Sequence, residues 1–192
     1  HKLAWSILAH ILVGTPAAPL RKTLIDSGLG EDIVAGLEGE LRQDYFSAGL
    51  KGMKVGSDNQ LLDGKRLEEL ICQTLTSLAE NGIDKETVAA SMNTVEFNLR
   101  ENNTGSFPRG LSLMLRSLTT WLYGGDPLVP LAFAAPLERI KNHLAAGEPF
   151  FENIIRSDLL ANPHHTVVTL QPQPGLNQQN DDLEKARLAK IK

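Results

Sequence analysis

Apolar residues recur every three or four positions along most of this chain, and that period constrains its fold more than any single motif. A helix brings such positions onto one face, so each stripe predicts a helix with a side to bury. Leu3, Ala4, Ile7, Leu8, Ile11 and Leu12 form the first stripe, which Gly14 ends. Thr15-Pro16-Ala17-Ala18-Pro19 then turns the chain. A second helix is predicted over 18–27, with Leu20, Leu24 and Ile25 on one face and Gly28 as a left-handed terminator. Leu67, Leu70, Ile71, Leu75 and Leu78 mark a third, closed by Asn81-Gly82. Asp84 caps a fourth, whose stripe is Val88, Met92, Val95 and Leu99. Leu111, Met114, Leu115, Leu118 and Leu122 give a fifth, with Trp121 beside it, until Gly124-Gly125-Asp126-Pro127 breaks the pattern. Two more are predicted over 136–146 and 150–161, split by Gly147-Glu148-Pro149 and stopped by Asn162-Pro163.

Little of the chain reads as strand. Residues 33–41 mix β-branched residues with glycine, and 45–53 alternate, with Phe46, Ala48 and Leu50 on one side and Tyr45, Ser47 and Lys51 on the other. The two are expected to pair antiparallel, turning near 42–44. A third β-rich run covers 166–170. Residues 56–64 read as a polar loop, and 171–175 and 177–182 as a polar linker. Beyond it, Asp181 and Glu184 have the spacing of a capping box for a last helix. Strands separated by helical runs define the class as α+β, with helices packed on a small, mainly antiparallel sheet.

Composition narrows the functional classes. A hydrophobic share of 42% is enough for a core, and a net charge of -4 with 22% charged residues describes an ordinary, mildly acidic protein. Lys and Arg form no block, so no nucleic-acid partner is expected. Cys72 is the single cysteine, which leaves neither a disulfide within the chain nor a thiolate metal cluster and fits a reducing compartment. Residues 3–20 carry no Asp, Glu, Lys or Arg, but Pro16 and Pro19 interrupt them before a bilayer could be spanned, so no membrane partner is expected. The first helix starts almost at the first residue and the last has barely begun at Lys192, so the sequence is expected to be part of a longer chain.

The search for chemistry returns mostly negatives. His1, His10, His143, His164 and His165 include no metallopeptidase spacing in either order. Adjacent His164 and His165 at a strand entrance would point to opposite faces. His10 in the apolar first helix reads as a core or partly exposed residue. Cys72, among the apolar residues of the third helix, reads as an inert packing residue. No Gly-x-Ser-x-Gly elbow is present, and Gly28-Leu29-Gly30 and Gly49-Leu50-Lys51-Gly52 are too short for a phosphate loop. What remains is the corner between the fourth and fifth helices. There Arg100-Glu101-Asn102-Asn103 is followed by Thr104-Gly105 and Ser106-Phe107-Pro108-Arg109-Gly110. Helix punctuation accounts for Asn103, Gly105, Ser106 and Pro108. It does not account for two arginines, a glutamate and a phenylalanine in so short a span. The functional reading has Arg100 or Arg109 hold a carboxylate or carbonyl of a bound peptide.

This corner also carries a resemblance. Residues 90–117, running Ala-Ser-Met-Asn-Thr-Val-Glu-Phe-Asn-Leu-Arg-Glu-Asn-Asn-Thr-Gly-Ser-Phe-Pro-Arg-Gly-Leu-Ser-Leu-Met-Leu-Arg-Ser, resemble the presequence protease branch of the pitrilysin/insulinase zinc metallopeptidases. Gly14-Thr15-Pro16-Ala17-Ala18-Pro19-Leu20-Arg21-Lys22, Asp26-Ser27-Gly28-Leu29-Gly30-Glu31, Asn162-Pro163-His164 and Gln171-Pro172-Gln173-Pro174 agree in order. The resemblance implies an enzyme of two homologous halves, each of two α+β domains, joined by a helical hairpin and closing around a chamber for unfolded peptides. It implies zinc held by an inverted His-x-x-Glu-His motif in the first domain, activating water with the motif's Glu as base. That motif is missing here, so no residue of this chain is assigned as catalytic or as a metal ligand. Motif order implies the second domain of the first half over 1–175, with 176–192 starting the helical linker between halves.

The implied role is a chamber wall supporting the catalytic domain, with zinc in the parent enzyme only. Arg100, Asn102, Asn103, Phe107 and Arg109 are the candidates for facing the chamber. The implied partners are the parent's remaining domains and, in the parent, unfolded peptide. Alternatives are a catalytically inactive structural or interaction module of the same superfamily, or a self-contained helical binding domain. A sheet lacking its neighbour would favour self-association of the isolated chain. The bacterial cytoplasm is the default compartment, with a mitochondrion or plastid if the source is eukaryotic.

Overall fold

The computed structural model describes residues 1–56 and 61–191. Residues 57–60 of the predicted polar loop lie outside the described residues. Along the chain run α1 (Lys2–Val13), α2 (Pro19–Asp26), β1 (Asp32–Glu38), β2 (Tyr45–Lys51), α3 (Gly64–Asn81), α4 (Lys85–Glu101) and α5 (Arg109–Trp121). A 3-10 turn (Val129–Leu131), α6 (Ala134–Ala145), α7 (Phe150–Ile154) with a π-helical continuation (Ile155–Leu160), and α8 (Leu176–Ala189) complete it. Helices packed on a small antiparallel sheet make the class α+β.

The organising element is α1. Ala4, Trp5, Ile7, Leu8, Ala9, Ile11, Leu12 and Val13 are all buried. A helix apolar around most of its circumference can lose that surface to water only by standing inside the protein. It does so here, packed by α2, α4, α6 and β1. Leu20 and Leu24 of α2, Leu75 and Ala79 of α3, Met92 of α4, Leu137 and Ile140 of α6, and Phe151 and Ile155 complete the core. Ile25, predicted on the buried face of α2, is instead exposed. A turn of about 100° per residue carries it off the line through Leu20 and Leu24.

The hairpin follows from alternation. Ile33 opposes Leu50, Ala35 opposes Ala48 and Leu37 opposes Phe46, and all six side chains pack on the core. Val34 and Tyr45 face solvent. Directly opposed apolar pairs on one face fix the register, since a one-residue slip would turn them all outward. Lys2 pins the hairpin's turn to the start of α1, its Nζ donating to the Gly39 carbonyl at 3.1 Å and meeting Asp44 Oδ1 at 3.0 Å.

A second tie closes the α3–α4 connection. Gly82 sits at φ 85°, ψ 162°, a region open essentially to glycine alone. The backbone N–H of Ile83, next in line, donates to Glu152 Oε1 of α7 at 2.9 Å, while the Arg156 guanidinium donates to the Ala79 carbonyl at the end of α3. The π-helical stretch carries Asp158, whose Oδ2 accepts from Trp5 Nε1 at 3.2 Å.

Three expectations fail beyond α4. Residues 166–170 form no strand, so the sheet has two strands among the described residues, and Leu170 is 91% exposed. β-branched residues favour extended backbone, but a strand needs a neighbour to pair with, and none lies beside this run. The polar segment 177–182 is helical rather than irregular. α8 already starts at Leu176, after Gly175 in the left-handed conformation, so Asp181 lies within the helix and caps nothing. Its polar residues bond along the helix, Gln178 Nε2 to Asp182 Oδ1 at 2.9 Å, a four-residue spacing that supports a solvated helix. Finally, α5 buries none of its residues although its stripe was as clear as any other.

Candidate functional site

The corner between α4 and α5 is a compact exposed turn built by local hydrogen bonds. Asp84 caps the far end of α4, accepting from the Thr87 N–H at 2.8 Å, and this holds its carboxyl below the usual range. At the near end Asn102 adopts the left-handed conformation (φ 44°, ψ 47°) and its N–H donates to the Asn98 carbonyl at 3.0 Å. Asparagine tolerates that conformation better than most residues. Asn103 Oδ1 then accepts from the Gly105 N–H at 2.9 Å, an Asx turn, and Thr104 Oγ1 donates to the Phe107 carbonyl at 2.6 Å. Pro108 stands at the N-cap of α5, and Ser106 makes no cap bond, contrary to expectation. The Thr104 hydroxyl, through Phe107, holds the turn instead.

Charge is arranged unequally across the corner. Glu96, with a side chain 15% exposed, is its hub. Its Oε1 accepts from Arg100 Nε at 2.8 Å and its Oε2 pairs with Lys141 Nζ of α6 at 2.7 Å. The Lys141 ammonium, then the Arg100 guanidinium, hold the Glu96 carboxyl below the usual range. Arg100 is therefore engaged within α4, in the four-residue pairing that helices favour. Arg109, the first residue of α5, makes no ion pair with the described residues and is exposed. Phe107 is exposed, Asn102 half-buried and Asn103 exposed. The five predicted residues thus gather on one turn, with Arg109 and Phe107 the free groups. The Glu96–Arg100 spacing was readable in the sequence; the Lys141 partner, 45 residues away, carried no local signal.

Elsewhere the histidines occupy separate places. His1 Nε2 lies 3.1 Å from Asp158, His143 Nδ1 2.7 Å from Glu148 and His165 Nδ1 3.8 Å from Glu68. The expected strand entrance at His164 and His165 is absent. His10 is half-buried, its Nδ1 without a partner among the described residues. Cys72 is exposed rather than packed, because it lies just off the stripe formed by Ile71, Leu75 and Leu78. Among the described residues no three His, Cys, Asp or Glu side chains group so as to hold a metal ion. A zinc centre does not fit this donor set. A surface groove between α2 and α3, lined by Thr23, Asp26, Arg66 and Glu69, includes no corner residue. Among the described residues no helix is long and apolar enough to cross a membrane.

Comparison with known proteins gives this geometry a family. Residues 1–95 match the profile described as "Peptidase M16 inactive domain". The chain is 47% identical over 194 residues to presequence protease 1, chloroplastic/mitochondrial, of Arabidopsis thaliana, covering 100% of this chain and 17% of the relative. It is 37% identical over 190 residues to Protein HypA of Clostridium perfringens, covering 99% of this chain and 19% of the relative. Against the mitochondrial presequence protease of Xenopus laevis the identity is 26% over 185 residues, 95% of this chain and 17% of the relative. The chain therefore spans under a fifth of the length of these relatives. It is similar throughout to a segment of the presequence proteases, and its first 95 residues match the inactive-domain profile of the M16 peptidases.

Proposed function

We propose that this chain is a supporting domain of a zinc metalloendopeptidase that degrades unstructured peptides, forming part of a chamber wall without taking part in the chemistry. The observation that carries the reading is homology along the whole chain to presequence proteases, joined to a donor set that does not suit a metal. Zinc, the water it activates and the catalytic base then belong to a part of the parent outside this sequence. The partners are the parent's remaining domains and the peptide in the chamber. Names of the relatives point to a mitochondrion or plastid for a eukaryotic source, and the bacterial relative leaves the bacterial cytoplasm as the alternative.

Within this role the corner has a division of labour. Glu96 and Lys141 tie α4 to α6, so Arg100 is held as structure. Arg109, free of ion pairs and beside exposed Phe107, is the group suited to meet a peptide carbonyl or carboxylate. In the full-length parent, Arg109→Ala should lower hydrolysis of a flexible fluorogenic peptide while leaving the thermal midpoint nearly unchanged. Proportionate loss of both would assign Arg109 to packing. Chelation should abolish the parent's hydrolysis and zinc should restore it; a parent that neither binds zinc nor cleaves peptides would leave the inactive interaction module as the reading.

A further inference from the structure

Helix α5 is turned inside out. Its stripe of Leu111, Met114, Leu115, Leu118, Trp121 and Leu122 lies along one face, yet no residue of α5 is buried and Leu122 is 72% exposed. The opposite face, with Ser112, Arg116 and Thr120, is half-buried. Among the described residues α5 packs chiefly on the 3-10 turn Val129–Leu131, where Leu128 and Val129 are exposed as well. The exposed stripe of α5 is an apolar plate, of the kind that soluble proteins keep for contact with something else.

Three observations point to what covers it. The M16 profile ends at residue 95, before α5, whereas similarity to the Arabidopsis and Clostridium proteins runs on through it. Those relatives place most of their length outside this segment, since it covers 17% and 19% of them. A surface on the same chain is present at high effective concentration, which favours it over a second copy. An extended peptide is a poor occupant, because such peptides are held through main-chain hydrogen bonds and a helix has none to spare along its side.

We infer that the α5 plate is an interdomain docking surface, and that its occupant is an apolar face of the parent chain beyond these 192 residues. This rests on the reading of the chain as one domain of a larger peptidase. The plate sits C-terminal to the corner on the same helix that carries Arg109. Docking α5 therefore fixes the direction in which Arg109 and Phe107 are presented.

Carbene footprinting of the full-length parent, read by mass spectrometry, tests this directly. The peptide covering 109–122 should lose its labelling to the low level of the α1 peptide 2–13, at every protein concentration and with no peptide substrate present. Full labelling of 109–122 would overturn the inference. So would protection that appears only as concentration rises, the mark of a second copy, or only when a flexible peptide is added, the mark of a substrate wall. Leu115→Asp in the parent should restore labelling across 109–122, while Ser112→Asp on the opposite face should not; equal effects would overturn it too. Chelator-sensitive hydrolysis measured on the same sample separates the two readings. A protected plate in a parent that cleaves nothing keeps the docking surface and removes the peptidase role, and hydrolysis with an open plate does the reverse.

Discussion

Two helices of nearly equal length have opposite fates in this fold. α1 has 12 residues and α5 has 13; both repeat apolar residues at helical spacing, but α1 buries eight side chains and α5 none. The difference lies in how far the apolar surface wraps. Around α1 nearly every direction is apolar, so its only stable place is the centre, crossed by α2, α4, α6 and β1. Around α5 the apolar face shares the helix with Arg109, Ser112, Arg116 and Thr120. A one-sided stripe says that a face needs cover without saying from where, and here the cover is not among the described residues. Burial on folding contributes roughly 25 cal/mol per Å2 of apolar surface, so α1 stabilises this chain and α5 stabilises what it docks on.

Mutations can break that contrast. Leu8→Ala removes a fully buried side chain and should destabilise the chain by about 2–5 kcal/mol, read as a drop in the urea midpoint. A much smaller loss would mean that α1 is not the centre. Glu152→Ala leaves the Ile83 N–H beside Gly82 without its acceptor and should cost about 1–3 kcal/mol. Leu115→Ala on the exposed plate should change the stability read from that midpoint by no more than about 0.5 kcal/mol. A loss near that of Leu8→Ala would show that α5 packs inward and erase the comparison.

The gentlest probe is pH. Glu96 is held below the usual carboxylate range by Lys141 and Arg100, so its proton binds more weakly in the folded than in the unfolded chain. Its contribution is thus fully present above the ordinary carboxylate pKa, about 4.3, and is lost as pH falls through the lower folded value. Amide protection at the α4–α6 contact, measured relative to intrinsic exchange at each pH, should fall over that acidic window, and Glu96→Gln should remove the fall. A variant that keeps the full pH dependence would show that another group carries it.

Much of the first half was legible in the sequence because its cues were local. Gly28 and Gly82 do adopt positive φ, Asp84 does cap α4, and Phe46, Ala48 and Leu50 do share one side of the hairpin, the one packed on the core. Where the sequence misled, the missing information was a partner. The run 166–170 has the composition of a strand but no neighbour, and the α5 stripe has the period of a buried helix but nothing against it among the described residues. Asp181 offered a plausible start for α8, but Gly175 provided an earlier one. At the corner, Asn102, Asn103 and Gly105 behave as punctuation, and Ser106 yields to Thr104. The Glu96–Arg100 pair has a four-residue spacing that the sequence shows, whereas Lys141, the second partner of Glu96, lies on α6 and no local pattern links the two.

We propose that this domain supports peptidase chemistry without performing it. The direct test measures hydrolysis of a flexible fluorogenic peptide by the purified chain 1–192 with added zinc, beside the full-length parent, with a cooperative thermal melt recorded on each sample. A folded chain that cleaves nothing, next to a parent whose hydrolysis stops on chelation, is the predicted result; chelator-sensitive cleavage by the chain alone would contradict it.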